Sequence, residues 1–248
     1  MNSPLDLMDL ALIASAFAVG GFLKGATGAG APIIAVPVLA LIYNVQTAVV
    51  LFVMPNVISN AIQAIQYRKE QVDRRFTLIF AFGGLIGAGV GTILLASFSG
   101  ASLMRLVAAA VFLYVAFRLL RPDWKLDFGT AKRFAAPAGF LAGILQGAAG
   151  ISAPVSITFL NAIKLERKHF IAIISVFFLA MGLLQLPLLI WFKLMTWQRF
   201  IESCFALIPL TLFMPLGSIV GTRVSANVFD KAILFLLTVV AIRLVWLA

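Results

Sequence analysis

The stretch GFLKGATGAGAP, Gly21–Pro32, contains four glycines, one threonine, one proline and a single charge, Lys24. Its flanks, ALIASAFAVG and IIAVPVLALI, carry no charged residue at all. A lysine therefore stands at a break in what is otherwise continuous hydrocarbon, and the fold follows from asking what surrounds it.

The 248-residue chain is 62% hydrophobic and 11% charged, with a mean hydropathy of +1.09. Soluble domains are about half apolar and about a quarter charged, so this chain lies outside that class on both counts. Apolar runs of about 20 residues recur throughout, the length a bilayer core requires of a helix. Barrel strands would instead give short alternating segments. The expectation is an all-α integral membrane protein with no room for a soluble domain. The net charge of +10 is read as basic loops facing the cytoplasm rather than as a nucleic-acid surface. A lone cysteine, Cys204, excludes an internal disulfide, and His169 lies in the charged loop KLERKH. Asp6 and Asp9, with no basic leader, do not read as a signal peptide.

Glycine, proline and charge clusters divide the chain into two similar halves. Residues 1–121 form a first repeat, with a broken hairpin at 7–43 and spans at 45–65, 77–97 and 103–120. Residues 122–133 are expected to be a cytoplasmic linker. Residues 134–248 form a second repeat, with a hairpin at 134–163 and spans at 170–191, 201–222 and 229–247. GILQGAAGISAP at 143–154 repeats the opening stretch at an offset of 122, Pro32 to Pro154. Gly21/Gly143, Leu23/Leu145, Gly25/Gly147, Ala26/Ala148, Gly28/Gly150, Ala31/Ala153 and Pro32/Pro154 are identical. An internal duplication is thus visible before any fold is assumed.

Charge sets the topology. The loops RKEQVDRR, RPDWKLDFGTAKR and KLERKH are rich in Lys and Arg, whereas YNVQT and SFSGAS have none. All three basic loops fall on the cytoplasmic side only if each broken block turns back on itself. Each half then crosses an odd net number of times, and the halves are inverted, with both termini outside. Inverted repeats with paired Gly/Pro-broken segments point to a transporter site near the bilayer midplane.

Irregular backbone inside a membrane survives only where protein or a polar cavity covers it. The second helix of each hairpin is expected to start near Ala31 and Ala153, its N–H groups and positive dipole end making an anion cradle. Two such cradles would face each other. Lys24 supplies the charge, its repeat partner Gln146 an amide, and Thr27 and Ser152 hydroxyls. Gly25, Gly28, Gly30, Gly147 and Gly150 let a ligand approach the backbone. Asn56, Asn60 and Gln63 share one face of the next span, with Gln66 beyond them and Gln185 matching Gln63. Other roles fit the same residues: glycines at these spacings also serve close helix packing, buried amides also bond helix to helix, and Lys24 could neutralise helix carbonyls or reach an interface.

Gly21, Gly25, Gly28, Gly30 and Pro37, with Gly143, Gly147, Gly150 and Pro154, make the chain resemble the TauE/SafE family of sulfite exporters and toluenesulfonate permeases over its whole length. The resemblance implies a permease for sulfite, sulfonates or sulfoacetate in a bacterial inner membrane. The chain departs from the family pattern at Gly30-Ala31-Pro32 and Ser152-Ala153-Pro154, where a glycine run is usual. It departs again at Lys24 and Gln146, where small residues are expected. No catalytic constellation, metal site or cofactor is expected, because all nine carboxylates lie in loops or near span ends. A passive anion channel would share these features. The expectation allows a proton or sodium as coupling ion and a monomer or a homodimer as the assembly.

Overall fold

The computed structural model describes residues 7–103 and 124–221, with a few positions between them. The expected spans 103–120 and 229–247 lie outside the described residues, isolated positions of the first excepted. Among the described residues the chain is helical without strands. The helices are α1 (Leu7–Thr27), α2 (Ala31–Ile42), α3 (Val45–Gln66), α4 (Arg74–Ser97), α5 (Phe128–Ala149), α6 (Ala153–Ala162), α7 (Arg167–Trp191) and α8 (Trp197–Gly221). Five are long and apolar enough to cross a bilayer: α1, α3, α4, α7 and α8. Large side chains such as Leu78, Phe82, Phe205 and Leu212 stay more than 60% exposed on the outside, as lipid-facing positions do when the solvent is hydrocarbon.

Several helices begin earlier than hydropathy suggests. The Asp73 carboxylate accepts from the Phe76 N–H and starts α4 at Arg74 rather than at residue 77. Asp127 accepts from the Thr130 N–H, so α5 takes up half of the expected linker 122–133. Both are N-caps, which a hydropathy scan does not see. The charged first turns therefore belong to helices rather than to loops.

The long helices pack by exchange between the halves. α1 of the first half lies along α8 of the second, and α4 of the first along α5 of the second. Small residues permit this. A Cβ on Gly21 would strike Leu210, on Gly25 Met214 and Ser218, and on Gly217 Phe22. In the other pair Gly83 faces Ala136, Gly87 faces Phe140, and Gly143 faces Gly84. Contact positions advance together along each pair, so both pairs run parallel. Small-residue seams of this kind let backbones approach where water supplies no driving force. α3 and α7 cross at the centre, where Asn56 and Val57 meet Gly182. α3 also packs on α8, and α4 on α7.

The three basic segments gather at one end of the molecule. Lys132 pairs with Asp73 at 2.7 Å and Lys168 with Glu70 at 3.4 Å. Gln71 donates to the Ala172 carbonyl, and the Leu126 N–H to that of Ala162. At the opposite end Arg199 donates to Leu194 and Thr47, and Gln46 to Leu95.

Two outcomes are expected. Gly87→Ala forces a methyl into the Phe140 carbonyl, and overpacking of this kind costs about 1–3 kcal/mol; the thermal midpoint in detergent should fall. Gly100→Ala, where an added Cβ meets nothing within 4 Å, should leave it unchanged. The Lys132 hydrogen bond, then the Phe76 N–H, hold Asp73 below the ordinary carboxylate value of 3.8. Its contribution is complete above that value and lost as pH falls through the lowered one. Acidification from about pH 5 to about pH 2 should therefore destabilise the protein, and less so in Asp73→Asn.

Candidate functional site

α1 stops because Gly28 sits at φ +88°, a left-handed conformation that costs glycine nothing. The Gly28 N–H donates to the Lys24 carbonyl at 2.7 Å. Thr27 closes the turn locally: its Oγ1 donates to the Leu23 carbonyl and accepts from the Ala29 N–H. α2 then starts at Ala31 behind Gly30, with no side chain capping it. Lys24 is left in the last turn of α1, 1% exposed. Its Nζ donates to Asn60 Oδ1 at 2.7 Å and to the Gly28 carbonyl at 3.4 Å. It also lies 5.8 Å from the centre of the Phe178 ring. No described carboxylate touches it.

The amide face on α3 is assembled around this lysine. Asn60 Nδ2 donates to both the carbonyl and Oδ1 of Asn56, at 2.7 and 2.8 Å. Both amide hydrogens are thereby committed, which turns Oδ1 toward Lys24. Asn56 Nδ2 donates onward to the Phe178 carbonyl on α7 at 3.3 Å. Gln63 Nε2 donates to the Lys24 carbonyl, while its Oε1 is buried without a partner. Gln66, at the end of α3, is exposed and takes no part.

The second break has the same backbone and a different chemistry. Gly150, at φ +71°, ends α5, and its N–H donates to the Gln146 carbonyl. Gln185 donates to the Gly147 carbonyl at 3.3 Å, as Gln63 does at the first break. Gln146 is buried with an unpartnered Oε1, and the Ser152 hydroxyl meets that of Ser156 at 3.1 Å.

The expectation of two cradles facing each other is corrected. The first tip lies against Asn60 and Ile171, the second against Val49 and Gln185. These contacts sit on opposite sides of the α3–α7 crossing at Asn56 and Gly182. The reason is length: α1 and α5 have 21 and 22 residues, about 30 Å each, so they run past the middle instead of stopping there. Gly25 and Gly147 are also placed differently from expectation. Each presses on a partner helix, at Met214 and at Ala88 respectively, and not on space for a ligand. Lys24, Asn56, Asn60, Gln63 and Gly28 come together; Gln146, Gly147, Gly150, Ser152 and Gln185 form a separate, uncharged group.

Arg167 is the residue that sequence reasoning missed. From the start of α7 its Nε donates to the Ala26 carbonyl and its Nη2 to that of Gly25, both at 2.7 Å. A cation is favoured at a helix C-terminus, but four basic residues crowd KLERKH and nothing local says which one reaches α1.

The protein is thus a multi-pass α-helical membrane protein with a buried lysine at a break between two helices. The model of the sulfite exporter TauE/SafE family matches residues 12–244, and the chain belongs to that family. It is a family of transporters rather than enzymes, and membership implies an exporter or permease for sulfite- or sulfonate-type anions. No curated protein and no solved structure gives a significant match.

Arg167→Ala should lower the thermal midpoint in detergent by removing two charge-assisted bonds, each worth about 1.5–3 kcal/mol. Arg167→Lys should restore only part, because an ammonium lacks the fork that holds two carbonyls at once.

Proposed function

We propose that this protein is a permease for small sulfur-containing anions, such as sulfonates, sulfoacetate or sulfite, with the anion held at the tip of the first hairpin. The observation that carries this is Lys24: a buried amine whose partners among the described residues are all neutral, at the break between α1 and α2. A charge in that position is costly unless something compensates it. The Gly28 turn and the α2 start adjoin the same spot, and Arg167 adds a positive group at the end of α1.

Alternating access supplies the motion. Lys24, Asn60, Gln146 and Ser152 are all buried, so an anion reaches them only when the packing opens. The pairing of α1 with α8 and of α4 with α5 gives two bodies that can rock about the α3–α7 crossing. The exchange pattern suits two inverted repeats, 1–121 and 134–248. The basic end faces the cytoplasm of a bacterial cell and both termini face outward. A carrier of this kind shows saturation and counterflow, which a passive channel does not.

Proteoliposomes holding the purified protein should take up labelled toluenesulfonate or sulfoacetate saturably and exchange it against unlabelled anion. Lys24→Gln should reduce uptake at least tenfold while the protein remains monodisperse. Flux that never saturates and shows no counterflow would establish a channel instead.

A further inference from the structure

We propose that Lys24 carries a proton together with the anion: the empty site holds a neutral amine, and the loaded site holds an ammonium paired with the bound anion. The inference rests on the anion site proposed above and adds its coupling. Per cycle the Nζ lone pair takes one proton from water as the anion enters. The proton returns to water when the anion leaves on the other face. One anion and one proton cross together, so a monovalent anion moves without net charge.

The geometry around Nζ matches a neutral amine. Among the described residues it has two acceptors, Asn60 Oδ1 and the Gly28 carbonyl, and a neutral amine has two hydrogens. An ammonium has three donors, and the third is the one an anion would take. Asn60 cannot offer more, because its amide group is committed to Asn56. The chain from Lys24 through Asn60 and Asn56 to the Phe178 carbonyl consists of donors pointing away from the lysine, with no ionised member.

Among the described residues no acidic group balances a permanent charge on Lys24. α2 contains no ionisable residue, and neither does α3 over Val45–Gln66. α1 contributes only Asp9, at its far end. From α7 the facing group is Arg167, a second cation, which disfavours charge on its neighbour; Glu166, Lys168 and His169 beside it face Glu70 and one another. On α8 the ionisable residues Arg199, Glu202 and Cys204 lie toward the opposite end, beside Thr47 and Leu51. Removing an ion from water is unfavourable unless it is paired, and releasing the proton avoids that cost whenever the anion is absent.

The test is calorimetric binding of toluenesulfonate, which stays a monoanion across the range, to the full-length protein in two buffers of different ionisation enthalpy. About one proton should be taken up per anion bound. On the alkaline side Kd should rise about tenfold per pH unit, the slope for one linked proton. Lys24→Arg, whose guanidinium cannot lose its proton, should bind with no proton uptake and no such slope. Saturable binding by the wild type without proton uptake overturns the coupling and leaves the anion site standing. Proton uptake undiminished in Lys24→Arg also overturns it, by placing the proton elsewhere. Absence of binding by toluenesulfonate, sulfoacetate and sulfite alike removes the anion site and the coupling with it.

Discussion

The structure depends on one constraint: where a helix stops inside a membrane protein, its backbone carbonyls must find partners that water cannot supply. Both breaks meet it with the same device. A left-handed glycine returns its N–H to the carbonyl four residues back, at Gly28 and at Gly150. A glutamine from the neighbouring long helix then reaches the last turn, Gln63 at Lys24 and Gln185 at Gly147. At the first break Arg167 adds two further bonds, to Gly25 and Ala26. That bond pair joins the first half's hairpin to the second half's central helix, so any movement between the two must strain it or carry both elements together.

The two duplicated stretches differ in charge. Lys24 corresponds to Gln146, and Arg167, at the same offset of 122, to Val45. Among the described residues two basic side chains therefore gather on one tip and none on the other, while the backbone geometry stays nearly the same. Because the tips run past each other, they lie on opposite sides of the central crossing.

The glycines divide by task. Gly28 and Gly150 make the turns, since only they carry positive φ among the glycines described. Gly21, Gly25, Gly143 and Gly147 make the seams between halves, where a single methyl would meet backbone. One short motif thus encodes both a break and a contact surface, and each half uses it to grip the other.

The sequence by itself determined the membrane class, because 62% hydrophobic residues in runs of helix length have no other solvent. It also located both breaks, since glycine and proline act on the local backbone whatever surrounds them, and it put Asn56, Asn60 and Gln63 on one face by helical period. Local pattern could not give the depth of the hairpins, which comes from how far α1 and α5 run before they turn. The early starts of α4 and α5 hung on single capping aspartates. Which neighbours a residue meets was decided only in the tertiary structure: Arg167 reaches Gly25 and Ala26 across 141 and 142 positions of sequence, and Lys24 reaches Asn60 across 36. Such pairings depend on the crossing of α3 with α7, and no periodicity in either helix records the partner it will meet.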